Sequence, residues 1–154
     1  MFDRRGARKY LNAAERLAFF RAAEREPDQL RRSFCLTLFF TGCRISEALN
    51  LTADGFDRSQ KSLVFETLKR RRNGLFRAVP IPDSLVVLLA GLVGSQSRIW
   101  PFSRPTAYRM IKQVALEAGI DGAMACPKGL RHGFAVACVA QKVPLPTIQK
   151  WASR

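Results

Sequence analysis

The sequence predicts one α+β domain, mostly helical, with a small antiparallel sheet or β-hairpin. Three observations predict it. Five stretches carry apolar residues at helical spacing behind recognisable caps or breakers. One strand–turn–strand pattern contains Asn73-Gly74, a strong hairpin signal. Finally, 154 residues with 47% apolar content are the size and composition of one domain with a real core.

The elements follow in order. Residues 1–10 are basic and read as a loose arm, leaving 11–154 for the folded domain. Asn12 and Glu15 have capping-box spacing and open a helix that Pro27 closes, with Leu17 and Phe20 toward the core. A second helix runs from about Asp28 to Thr41. Its apolar residues cover most of the circumference, so it is expected at the centre, and Gly42 breaks it. A short helix carries Arg44 to Leu49. Residues 61–68 and 76–81 read as the two strands of the hairpin, with residues 70–74 as its turn. Pro82-Asp83-Ser84 starts a helix to about Leu92. Ser103 caps another from about Arg104 to Ala118, whose core face is read as Tyr108, Ile111, Val114 or Ala115, and Ala118. Pro127 begins the next, through about Gln141. Pro144 and Pro146 break the chain, and residues 147–151 start a last helix.

Composition narrows the function. Lys and Arg number 26 against 12 Asp and Glu, a net charge of +14, and 19 of the basic residues are Arg. Such an excess points to a polyanionic partner, nucleic acid before a membrane surface, and Arg favours bidentate phosphate contacts. One His and four Cys without CxxC spacing make a metal site unexpected, and no cofactor is implied. The scattered cysteines and the lack of a signal-peptide pattern suggest a reducing cytoplasm. The longest apolar run, residues 85–94, is about half of what spans a bilayer.

Three segments carry candidate chemistry. In TGCRISEALNL, residues 41–51, Arg44 follows a helix break beside orphan backbone N–H groups, and Glu47 stands three residues on. Alone, that pair also reads as an ordinary ion pair at helical spacing. The second segment is Lys69-Arg70-Arg71-Arg72 with Arg77 on the returning strand. These five cations have no acid among them, which suits a hairpin lying against phosphates. In KGLRHGFA, residues 128–135, Lys128 and Arg131 share a helix face near its N-terminus.

Taken in order, TGCRISEALNL, a strand ending in TLK, RAVPIP and KGLRHGFA resemble the catalytic domain of tyrosine recombinases, the phage integrase family, over residues 10 to 154. The resemblance implies a largely helical domain with a small sheet that grips double-stranded DNA. It implies phosphoryl transfer in site-specific recombination and DNA integration, as in mobile genetic elements, in the cytoplasm at the nucleoid. By position, Arg44 and Arg131 resemble the two catalytic arginines that clamp the scissile phosphate. Lys69 resembles the hairpin lysine that protonates the leaving 5′-hydroxyl, with Arg72 a competing alignment. Lys128 stands where the family has an acid–base helper. Glu47 matches the acid that supports the first arginine, and His132 a neighbour of the second. Arg70, Arg71, Arg72 and Arg77 are expected to contact DNA.

The resemblance also has departures. After Ile148-Gln149-Lys150-Trp151 the family continues with Leu-Gly-His or similar, whereas here Ala152-Ser153-Arg154 follow. The nucleophilic tyrosine expected beyond that point is absent, Tyr10 and Tyr108 being the only tyrosines, and so is the amino-terminal core-binding domain. The expectation is a truncated catalytic domain that binds DNA and does not cleave it alone. Its expected partners are DNA, a full-length recombinase or further copies of itself on DNA, and no membrane. The alternative is a non-catalytic DNA-binding module or a regulator of a complete recombinase.

Overall fold

The computed structural model describes residues 2–67, 75–94 and 97–152. Along them run α1 (Ala13–Glu24), α2 (Gln29–Thr41), α3 (Ile45–Leu49), β1 (Phe56–Asp57), β2 (Ser62–Glu66), β3 (Phe76–Pro80), α4 (Asp83–Leu92), α5 (Arg104–Glu117), α6 (Pro127–Ala140) and α7 (Leu145–Ala152). The mostly helical α+β reading therefore holds. The sheet has three strands in the order β1-β2-β3, all antiparallel. Leu63 faces Val79 and Phe65 faces Arg77 across β2 and β3.

The caps explain where the helices start. Asn12 accepts the N–H of Glu15 while the Glu15 carboxylate accepts that of Asn12, the capping box expected from their spacing. Asp28 accepts two N–H groups at the head of α2, and Ser103 accepts that of Thr106 at the head of α5. The uninterrupted buried run Ser33–Leu38 makes α2 the central helix, packed against α1, α3, α4 and α6. Trp100, fully buried, donates its indole N–H to Ser33 Oγ at 2.8 Å and meets Phe34 edge-on, pinning the loop that leads into α5.

Several expectations need correction. The first ten residues do not run loose over their described part. Phe2 pairs with Arg8 around Gly6, and Arg8 bonds to Glu15 and the carbonyl of Tyr10. On α1 the buried aromatic is Phe19, and Leu17 is largely exposed. Tyr108 is also 44% exposed, because the buried stripe of α5 is Ala107, Met110, Ile111, Val114 and Ala115, with Tyr108 at its edge. Helix α7 begins before Pro146, which sits in the first turn where its missing N–H costs nothing. The hairpin turn, Asn73-Gly74 included, lies outside the described residues.

Candidate functional site

The segment 41–47 is shaped so that two side chains of opposite charge, Arg44 and Glu47, stand within 3.7 Å of each other, the first exposed and the second buried. Thr41 ends α2 with its hydroxyl, donating to the carbonyl of Thr37 at 2.7 Å and accepting the N–H of Cys43 at 3.2 Å. Gly42 takes φ +63°, the left-handed conformation that closes a helix, and a Cβ there would stand 2.4 Å from the Phe134 ring. Cys43 turns into the core, where burial pushes its thiol up to about 12 and leaves it without thiolate character. Arg44 then precedes α3, and the Glu47 carboxylate accepts its backbone N–H at 2.8 Å.

Helix α6 brings the second segment to the same place. It begins with Pro127 at its first position. A Cβ on Gly129 would meet the carbonyl oxygen of Met124 at 1.9 Å, and one on Gly133 would meet that of Leu11 at 2.8 Å. The glycines of KGLRHGFA thus let the chain cross α6 closely. Arg131, between them, donates to the carbonyl of Gly42 at 3.3 Å. The helix break that releases Arg44 therefore also receives Arg131.

Glu47, fully buried, is the hub of this cluster. Its Oε2 lies 3.7 Å from Arg44 Nη1 and its Oε1 3.8 Å from Arg131 Nη1. Its short bonds go to Arg77, at 2.6 and 2.8 Å, a bidentate pair of two buried side chains. Burial pushes the Glu47 carboxyl up. The hydrogen bonds from Arg77 and the Arg44 N–H, with the charges of both arginines, outweigh burial and hold it below the usual carboxylate range. Arg131 is shifted down, first by burial and then by repulsion from Arg44, against the attraction of Glu47. Three guanidiniums thus share one carboxylate, and the region is left positive.

Arg44 and Arg131 line a cavity of about 660 Å³ together with Lys128, His132, Arg104 and Tyr108. Its other wall is apolar, made by Phe134, Val139, Leu145 and Ile148 of α6 and α7. Four expected site residues, Arg44, Lys128, Arg131 and His132, thus meet at one cavity, and Glu47 stands behind two of them. Arg77, expected among the surface cations, is not one of them. It is 5% exposed, because its strand neighbours turn it inward onto Glu47. Lys69, Arg70, Arg71 and Arg72 lie outside the described residues. Tyr108 was missed as a cavity residue, and its signal was its place at the edge of the apolar stripe of α5. No group of three or more His, Cys, Asp or Glu among the described residues could hold a metal ion. Among them, no helix is long and apolar enough to cross a membrane.

A family model described as the phage integrase family matches residues 9–152. The chain belongs to the phage integrase family. Comparison with curated proteins gives no match. Among solved structures, the XerA recombinase superposes with a TM-score of 0.78 at 22% identity, over 92% of this chain and 54% of that one. The XerH site-specific recombinase bound to difH substrate, in a pre-cleavage complex, gives 0.79 at 18% identity, over 96% of this chain and 47% of that one. A lambda integrase (75–356) dimer bound to a COC′ core site gives 0.71 at 20% identity, over 98% of this chain and 61% of that one. The chain spans about half the length of the recombinases it matches. At these identities the likeness is one of fold, and it covers nearly every element of this chain.

Proposed function

We propose that this chain is the phosphate-clamping part of a site-specific recombinase, which binds double-stranded DNA and holds one backbone phosphate between Arg44 and Arg131. The observation that carries the reading is the cluster of Arg44, Arg77 and Arg131 around the single carboxylate of Glu47, two of them opening on a cavity that Lys128 also lines. A partly buried excess of guanidinium charge is costly when it stands alone and is offset by an entering phosphodiester monoanion and by the further negative charge that develops on it. Two guanidiniums present fixed donor pairs that match non-bridging phosphate oxygens. Such a clamp stabilises the pentacovalent state of phosphoryl transfer, whichever hydroxyl attacks.

Lys69 is proposed as the proton donor to the departing 5′-hydroxyl, and Lys128 as the acid–base group on the cavity wall. His132 supports the second arginine. Arg70, Arg71 and Arg72 are proposed to track the DNA backbone. No tyrosine of this chain other than Tyr10 and Tyr108 is present to attack. We therefore read these 154 residues as binding DNA without cutting it alone, the attacking hydroxyl coming from outside them, as from a partner recombinase. The partners by this reading are duplex DNA, as in the XerH and lambda integrase complexes, and a second recombinase subunit, as in the lambda integrase dimer.

The test is a nicked suicide duplex carrying the recombination site, incubated with the chain alone and with a full-length recombinase whose own arginine clamp is disabled. The expected result is no covalent adduct with the chain alone and an adduct when both are present, lost on Arg44→Ala or Arg131→Ala in this chain. An adduct with the chain alone that disappears in Tyr108→Phe overturns the assignment of the nucleophile to a partner. Absence of any adduct, with DNA affinity no more sensitive to Arg44 and Arg131 than to other surface arginines, overturns the clamp and leaves a DNA-binding module.

A further inference from the structure

The clamp has a third arginine that cannot reach DNA, and its contacts account for the geometry of the other two. We propose that Arg77 is a positioning residue: it fixes the carboxylate of Glu47 and through it sets the spacing and direction of Arg44 and Arg131. The inference rests on the clamp reading given above and adds a residue to it.

The distances rank the contacts. Glu47 is 3.7 Å from the Arg44 guanidinium and 3.8 Å from that of Arg131, too far to be ordinary hydrogen bonds. Those arginines cannot orient a carboxylate at that range, and they hold it by charge. Arg77 bonds both carboxylate oxygens at 2.6 and 2.8 Å, so it is Arg77 that decides where Glu47 points. The Glu47 oxygen so fixed also takes the N–H of Arg44 at 2.8 Å, which sets the backbone from which the Arg44 side chain departs. The long contact to Glu47 leaves the Arg44 guanidinium able to turn toward an anion without first breaking a strong pair.

Arg77 is itself held on every side. Its Nε donates to the main-chain carbonyl of Trp151 at 2.5 Å, its two terminal nitrogens are taken by Glu47, and its guanidinium carbon lies 5.2 Å from the centre of the Phe65 ring. The three partners sit on α7, α3 and β2. One planar group thus ties the sheet to the helix that carries the hub and to the helix that forms a wall of the cavity. A lysine could supply the charge and one bond, but neither the bidentate grip nor the simultaneous bond to Trp151. A residue this enclosed contributes nothing by touching DNA, so its effect on function must pass through the groups it holds, and Glu47 is the one that faces Arg44 and Arg131.

The experiment follows the guanidinium Nε–Hε resonances of Arg44 and Arg131 by NMR, in the ligand-free chain and on titration with inorganic phosphate. Wild type, Arg77→Met and Arg77→Lys are compared at matched foldedness. In Arg77→Met both resonances are expected to move toward the values of unrestrained arginine, and phosphate affinity to fall at least tenfold. Arg77→Lys is expected to recover part of each. A folded Arg77→Met with lower thermal stability, unchanged Arg44 and Arg131 resonances and unchanged phosphate affinity overturns the proposal, since Arg77 is then merely structural. Failure of wild type to bind phosphate at these arginines counts against the clamp reading alone. The ligand-free resonances still decide the role of Arg77, displacement supporting it and constancy overturning it. If Arg77→Met does not fold, Arg77→Lys decides by the same signals: wild-type behaviour overturns the proposal, and displaced resonances with weakened phosphate binding support it.

Discussion

Glu47 carries the electrostatics of the site on one side chain. Fully buried, it has Arg77 at hydrogen-bond distance and Arg44 and Arg131 within 3.8 Å. Removing it leaves Arg77 as a buried, uncompensated cation, so Glu47→Ala is expected to cost about 3–5 kcal/mol of stability. The pH dependence follows from the same contacts. The folded carboxyl titrates below its ordinary value of 4.5, so the folded state holds the ionised form more tightly than the unfolded chain does. The stabilisation is fully present above that ordinary value and is lost as pH falls through the lower folded value. Urea midpoints measured between pH 7 and pH 3 should therefore fall on acidification below about 4.5 in wild type. Glu47→Gln should be less stable at neutral pH and show a shallower acid limb. An acid limb of equal depth in both proteins would show that other carboxyls carry it.

At the level of elements, the junction of α2, α3 and α6 decides where the clamp stands, and it turns on Gly42. An alanine there must adopt a φ of +63° and must also push the Phe134 ring away from a 2.4 Å approach. Strain and overpacking together put the cost of Gly42→Ala at about 2 kcal/mol. Because the Gly42 carbonyl accepts from Arg131, the same change should weaken phosphate binding beyond what a lower stability alone would do. Thermal melts and phosphate titration separate the two effects, and a full loss of stability with unaltered affinity in the folded protein would argue against the link. Much of this junction was legible in the sequence. Gly42 as a breaker, Asn12 with Glu15 as a capping box and the buried circumference of α2 are local signals, and the structure keeps all three. Other features were not legible, for identifiable reasons. Strand β1 is two residues long and exists only through pairing with β2. Tyr108 was given to the core because helical spacing cannot tell the centre of an apolar stripe from its edge. Arg77 read as a surface cation because its partner stands thirty positions away in α3, and a strand sequence does not say which face meets a buried acid.

For the whole molecule, under the proposed reading, the charge of +14 sets how it would meet DNA, and the structure divides that charge into parts with different surroundings. Arg77 is neutralised inside the fold by Glu47, and Arg8 is engaged with Glu15. Both cations are paired within the fold, and Arg77, buried, is withheld from any contact with a polyanion. Arg44, Lys128 and Arg131 open on one cavity and address one phosphate under the proposed reading. Arg70, Arg71 and Arg72 form the densest run of cations in the sequence and are assigned to the flanking backbone. The affinity for duplex DNA should then fall linearly, on logarithmic axes, with salt, with a slope near 0.9 per phosphate neutralised. Replacing Arg70, Arg71 and Arg72 together by serine should lower that slope by about 2 to 3 and weaken all sequences alike, because phosphate contacts carry no base information. Replacing Arg131 alone by alanine should lower the slope by only about 1, since a single phosphate is lost. Fluorescence anisotropy with a labelled duplex from 50 to about 300 mM salt measures both slopes. An unchanged slope in the triple variant would move the duplex away from the hairpin. A drop as large for Arg131 alone as for all three would mean that the cavity gathers several phosphates rather than one.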